Sequence, residues 1–279
     1  MCGIAGFSLT KHDADRIDSR CLAGMLLINI EHRGRDATGA AWTETTPDGL
    51  MWWYDKAPIP ARKFGEHIQQ MPKHTRRALL HVRFATTGDP ADNDNNHPII
   101  VPSESGGSVI GTHNGVLYNH EDVMAAHQFP WIGEVDSQAI FHLMGRDAFV
   151  RDDLRQLTGS MAIAAVDTSD PTVIRLARTV QRPLWLAQTP SGSVLWASEK
   201  QALLDAMKVV SLDAEFLMEV PEWTMITINN GRIEAVEQIT RPVPPKPTLY
   251  GVPKKPKHKD KGKNLSLRQQ LDLSFGIGS

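Results

Sequence analysis

Residues 1–7 read MCGIAGF, and their reading decides the fold. Small and apolar residues from Cys2 to Leu9 describe a short buried strand carrying two glycines. In that setting Cys2 is a small core hydrophobe. A second reading starts from its position. If Met1 is removed, Cys2 carries both a thiol and a free α-amine. That amine has an ordinary pKa of about 8, close to that of the thiol. A neutral amine can take the thiol proton, directly or through a water, so one residue supplies nucleophile and base. Gly3 and Ala5 let substrate and backbone approach closely.

Working outward, the spacing of Ile17, Cys21, Met25 and Ile28 predicts a helix over 15–31 with one apolar face. Gly34 is placed to cap its C-terminus. Strands are predicted over 37–42 and 50–54, around the turn TTPDG, and over 77–84 and 109–113. The last runs into an expected turn at Asn114-Gly115. Helices are predicted over 60–71, 137–149 and 200–207. Short apolar strands follow at 160–167, 173–177, 184–187 and 194–197, and a hairpin at 224–236 turns on Asn229-Asn230-Gly231. Frequent tight turns with helices clustered between them imply antiparallel sheet covered by helices, not βαβ alternation.

The 279 residues are 41% apolar and 22% charged, as a globular protein requires. The formal charge is −2, but residues 241–279 hold nine Lys/Arg against two Asp, leaving the rest acidic. Residues 1–240 are expected to fold as one domain, with 241–279 an extended, Pro- and Lys-rich tail. Two cysteines, Cys2 and Cys21, make no disulfide framework. No secretory leader or membrane-spanning run is visible, so the expected location is cytoplasmic.

A nucleophile that attacks a carbonyl needs an oxyanion site, a substrate handle and polar anchors. Arg83, at a strand end, can clamp a carboxylate with its fork of donors, or sit in a surface salt bridge. Thr86 adds a hydroxyl three residues on. Asn114 and the Gly115 N–H can aim two donors at one point, or simply form a hairpin turn. Asp136 can pair with an ammonium, or cap the helix that follows it. Arg33, Gly34 and Asp36 can wall the nucleophile's pocket, or form a capped turn held by an Arg–Asp pair. His81, His97 and His113 fit no metal-ligand spacing, and no metal is expected.

Taken in order, MCGIAGF, HRGRDATG, HVRFATTG with NNHP after it, GTHNGVLYNHEDV, EVDSQAI, GSMAIAAVD, and RPLWLA with LWASEKQAL resemble the class II glutamine amidotransferase domain. That domain is an N-terminal nucleophile hydrolase. The motifs are most similar to the amidotransferase domains of hexosamine-phosphate synthases and amidophosphoribosyltransferases. The resemblance implies an α+β fold, a four-layer αββα sandwich of two antiparallel sheets. It implies hydrolysis of L-glutamine to glutamate and ammonia through a Cys2 thioester, with no cofactor. By position, Arg83 and Thr86 would hold the substrate carboxylate, and Asp136 with the Gly115 carbonyl its ammonium. Asn114 and the Gly115 N–H would form the oxyanion hole. Arg33 would border the nucleophile, and His97 would have a structural role. Arg35 and Ser137-Gln138 depart from the residues common at those positions.

Residues 204–279 are too few for an acceptor domain of the kinds these relatives carry. The expectation is a stand-alone glutaminase passing ammonia to a separate synthetase, with the basic tail as one contact. The alternatives are an amidohydrolase of the same fold acting on another γ-glutamyl amide, and a non-enzymatic interaction module. KKPKHKDKGK lacks the interleaved aromatics of a single-strand binder, so no nucleic-acid partner is expected. A homo-oligomer stays open.

Overall fold

The computed structural model describes residues 1–242. From residue 243 onward, the predicted tail lies outside the described residues.

Two antiparallel sheets form the centre. The first contains β1 (Gly3–Ser8), β2 (Ala37–Thr46), β3 (Gly49–Ala57), β4 (Arg77–Arg83), β9 (Trp185–Gln188), β10 (Val194–Ala197) and β11 (Phe216–Glu219). Its order is β11-β9-β10-β1-β4-β2-β3. The second contains β5 (Ile99–Pro102), β6 (Ser108–Leu117), β7 (Gly159–Asp167), β8 (Val173–Arg178), β12 (Thr224–Asn229) and β13 (Arg232–Gln238), in the order β13-β12-β8-β7-β6-β5. The helices are α1 (Lys11–Ala14), α2 (Ser19–Ile30), α3 (Gly65–Ile68), α4 (His120–His127), α5 (Gln138–Met144) and α6 (Lys200–Val209).

Three apolar clusters correspond to the three seams of a four-layer sandwich. Leu22, Leu26 and Ile30 of α2 and Leu203 of α6 pack on Phe7, Leu80 and Leu195 of the first sheet. Ile4, Leu79, Leu186 and Trp196 meet Ala164, Ile174, Leu176 and Ile226 between the sheets. Ile140 and Phe141 of α5 cover Val109 and Ile163 on the far face of the second sheet. The expected α+β, αββα architecture is therefore the one observed. Alternation along the central strands β1, β4, β7 and β10 feeds two seams at once, which is why these read as continuous apolar runs, whereas the edge strand β13 alternates. Close packing fixes one glycine. A Cβ on Gly6 would overlap the Trp196 ring and the Ala78 carbonyl, so only glycine lets the indole lie across β1.

Several local expectations change. The helix predicted over 15–31 begins at Ser19, where Asp18 accepts from the Arg20 N–H at 3.0 Å. Its buried face is Leu22, Ala23, Leu26, Leu27 and Ile30, whereas Ile28 is half exposed and Cys21 exposed. In so apolar a helix two offset stripes share the same spacing, and packing on β1 and β4 selects the other one. Gly34 is extended (φ −169°), not a left-handed cap, and the chain leaves α2 through a short 3-10 turn. The helix predicted over 60–71 is a 3-10 turn, Ala61–Lys63, and the brief α3, interrupted at Phe64. Asn114-Gly115 is no turn: β6 runs on to Leu117, paired with β7 throughout.

Candidate active site

The strand that follows Cys2 is held at the centre of the first sheet. β1 lies between β4 and β10, with Gly3 opposite Val82 and Ala5 opposite Ala197. Cys2 thus sits at the end of the middle strand, half buried. The Phe84 N–H donates to its Sγ at 3.4 Å. Burial pushes the Cys2 thiol above its ordinary pKa, and this Phe84 contact opposes it. The resting group is therefore a thiol, which needs a base before it can attack. Met1 precedes it and is exposed, its Sδ accepting from Arg182 Nη1 at 3.0 Å.

Cys2, Arg83, Thr86, His97, Gly115 and Asp136 line one cleft, joined by Phe84 and Ser137. Its free space is about 20 Å³, room for about one water molecule. Arg83 closes β4 and is almost wholly buried. Its Nη1 donates to Asn96 Oδ1 at 2.8 Å, and its Nη2 to the carbonyls of Thr87 (2.5 Å) and Gly88 (2.9 Å). Burial lowers its pKa, but no carboxylate is paired with it among the described residues. The salt-bridge alternative for Arg83 is thus not the arrangement observed. Thr86 lies on the exposed rim.

Strand geometry orients Gly115. Residues two apart on a strand turn their N–H and C=O groups to the same edge. The Leu117 N–H donates to Asp136 Oδ2 at 2.6 Å, and the His113 carbonyl accepts from His81 Nε2 at 3.1 Å, both on the edge away from β7. Gly115 lies between them, so its N–H and C=O face that same edge. There β5 has already ended its pairing, at Ile99 opposite Gly111. A Cβ at Gly115 would overlap the Ser160 carbonyl and the His113 ring. Asn114 points the other way, into the seam between the sheets. Its Nδ2 donates to Ser198 Oγ at 3.4 Å, and that hydroxyl accepts from the Ile4 N–H at 3.0 Å. Asn114 is therefore tied to β1 beneath Cys2 and is not among the cleft-lining side chains. Asp136 caps no helix: its carboxylate holds Leu117 and accepts from Ser137 Oγ at 3.3 Å.

Arg33 forms no pair with Asp36. Its Nε donates to the Cys2 carbonyl at 2.9 Å and its Nη1 to Glu199 at 2.9 Å. His32 reaches the same Glu199 oxygen at 2.8 Å. Burial pushes the Glu199 carboxyl up, but Arg33 and His32 outweigh it and hold it below the ordinary value. Asp36 instead accepts from the Ala85 N–H at 2.7 Å, steadying the segment after Arg83. Glu199, Ser198 and Asn96 are the supporting residues that sequence reasoning missed as such. All three lie in quoted motifs, yet their partners are distant in the chain.

Beneath the cleft lie three buried imidazoles. His81 and His97 stack at 4.1 Å between ring centres. Both nitrogens of His97 lack partners among the described residues, as does Nδ1 of His81. His113 bonds Ser137 Oγ at 2.8 Å. Burial pushes His81 down to about 3 and His97 well below its ordinary value, and lowers His113 against the pull of Asp136. All three are neutral near pH 7. Among the described residues no cluster of ligating groups suits a metal ion, and no helix is long and apolar enough to cross a membrane.

The chain is 28% identical over 254 residues to the isomerizing glutamine–fructose-6-phosphate aminotransferase of Salmonella typhi, covering 85% of this chain and 38% of that protein. It is 30% identical over 251 residues to the same-named protein of Bacillus cereus, with 85% and 38% covered. The chain thus spans well under half the length of these curated relatives. Among solved structures, the B. subtilis glutamine phosphoribosylpyrophosphate amidotransferase, complexed with ADP and GMP, superposes with a TM-score of 0.68. The identity is 20%, over 87% of this chain and 50% of that one, a likeness of fold. The sequence profile of the glutamine amidotransferase domain matches residues 63–242, more than half of the chain. With its two-sheet sandwich and Cys2 at the head of the central strand, the chain belongs to the glutamine amidotransferase domain family, in its class II, N-terminal nucleophile form.

Proposed function

We propose that the protein hydrolyses the side-chain amide of L-glutamine to glutamate and ammonia. The observation that carries this reading is the convergence of Cys2, Arg83, Gly115 and Asp136 on one cleft. Once Met1 is removed, the α-amine of Cys2 takes the thiol proton and the sulfur attacks the amide carbon. The tetrahedral oxyanion is met by the Gly115 N–H, and by the Asn114 amide once that side chain, held under Cys2 by Ser198 and outside the cleft lining, turns its other N–H to the cleft. Proton return from the amine lets ammonia leave, and water then cleaves the thioester to glutamate. Arg83 binds the α-carboxylate with the N–H groups that Asn96 and the loop carbonyls leave free, and Thr86 adds a hydroxyl. Asp136 and the Gly115 carbonyl hold the ammonium. Arg33 fixes the Cys2 carbonyl, and His97 supports the floor. The cleft is too small for glutamine as it stands, so the segment after Arg83 moves aside when substrate enters.

Ammonia is proposed to pass to an acceptor, since the relatives' name pairs glutamine with fructose 6-phosphate, and the acceptor's enzyme is proposed to be a separate synthetase. A reducing cytoplasm suits a thiol nucleophile and the free Cys2 and Cys21. The test is direct. Protein whose mass begins at Cys2 should release ammonia and glutamate in equal amounts from glutamine, and Cys2→Ala should release none. Ammonia release by Cys2→Ala at the parent rate, or full activity with Met1 retained, refutes the mechanism. Faster turnover of other γ-glutamyl amides than of glutamine refutes the substrate.

A further inference from the structure

A second cavity opens at the far end of the sandwich, between the start of β4, the β2–β3 hairpin and the β12–β13 turn. Its volume is about 580 Å³, within the usual range of small-molecule sites. Its wall includes Lys73, His74, Arg76 and Arg77 against a single carboxylate, Glu44. Arg77 is 2% exposed. One of its N–H groups donates to Asn230 Oδ1 in the β12–β13 turn, while its buried Nε has no partner among the described residues. No carboxylate forms an ion pair with it there. Burial and the neighbouring Arg76 lower its pKa to about 10, so it is a cation near neutral pH. A buried charge without a counter-ion is unfavourable unless something else supplies one.

We propose that this cavity is a binding site for a small phosphate-bearing molecule, its phosphate held by Arg77 with Lys73 at the mouth. Three cationic side chains against Glu44 leave two positive charges, matching a phosphate near neutrality. The guanidinium fork suits a tetrahedral oxyanion. Glu44, on the opposite wall, is an acceptor for hydroxyl groups on the rest of the ligand. The site lies at the other end of β4 from Arg83, about 20 Å away for six strand steps. Its occupation leaves the Cys2 cleft open, and the inference does not depend on the glutaminase reading.

The competing view is that Arg77 only ties β4 to the Asn230 turn. Calorimetric titration of the full chain at fixed ionic strength separates the two, with inorganic phosphate and glycerol 3-phosphate as probes. Saturable binding is expected, weakened about tenfold or more in Arg77→Gln. Lys73→Ala should weaken it several-fold, and Glu44→Gln should tighten inorganic phosphate. These two half-exposed or exposed positions keep the test decisive if Arg77→Gln does not fold. Cys2→Ala should bind like the parent. Tighter binding of glycerol 3-phosphate identifies a phosphorylated metabolite as the ligand; equal binding identifies free phosphate. Absence of saturable binding by either probe overturns the proposal. So does binding unchanged across the Lys73, Glu44 and Arg77 substitutions.

Discussion

His97→Phe should flatten the acid limb of this protein's stability. His97 is buried, makes no hydrogen bond through either ring nitrogen among the described residues, and stacks on His81. Burial holds it neutral well below its ordinary pKa of 6.5. Above that value neither the folded nor the unfolded imidazole carries a proton, and His97 has no effect on the pH dependence. Below it, the unfolded chain binds a proton that the folded chain refuses. Stability then falls by about 1.4 kcal/mol per pH unit for each such histidine. Over two pH units His97 alone accounts for about 3 kcal/mol, a large share of a typical total. His81, pushed down to about 3, behaves alike, so the two together give a slope of about 3 kcal/mol per unit. Phenylalanine keeps a ring on His81 and removes one titrating group with its two unpaired nitrogens. Urea unfolding from about pH 6 down to about 4 should give a slope shallower than the parent's by about 1.4 kcal/mol per unit. Any offset from the larger ring shifts the whole curve without changing its slope. Parallel curves for variant and parent would refute the argument, because His97 would then be protonated in the folded state.

Two further predictions concern the support of the cleft. Glu199→Gln removes the charge that anchors Arg33 and His32. The pair is partly exposed, so stability should change by about 1 kcal/mol or less, while kcat falls about tenfold or more as the Cys2 end of β1 loosens. An unchanged kcat, or a rise in KM alone, would show that Arg33 does not position the nucleophile. Gly115→Ala forces a Cβ into the Ser160 carbonyl and the His113 ring, both fixed by β7 and Ser137. A loss of about 3 kcal/mol or more is expected, and thermal unfolding at the parent temperature would refute it.

The layered fold was legible because the central strands β1, β4, β7 and β10 are apolar on both faces and turn residues separate them. Local signals misled where tertiary contacts outweighed them. Asn114-Gly115 carries the commonest hairpin turn signal, yet β7 pairs straight past it, and the glycine is there because Ser160 leaves no space. The apolar stripe of α2 was offset because Ile28 and Leu27 are equally hydrophobic, and only the sheet beneath distinguishes them. Of the candidate site, single residues with distinctive chemistry could be read: Cys2, Arg83, Gly115 and Asp136 do line one cleft. Pairings could not. Arg33 meets Glu199 across 166 positions, and nothing in HRGRDATG indicates that its arginine passes over Asp36.

The place of β1 has a consequence for how the protein is made. Chain termini usually fray, but here the first strand is the keystone, clamped by β4 and by β10. The ribosome must deliver Val194–Ala197 before the second clamp exists. Until then Ile4 has no Ser198 hydroxyl to bond, and Asn114 has nothing to hold it under the thiol. On the mechanism proposed above, Cys2 is therefore clamped from both sides only when about four-fifths of the described residues have emerged. Its reactivity would then be timed by the strand that closes on β1 from the other side.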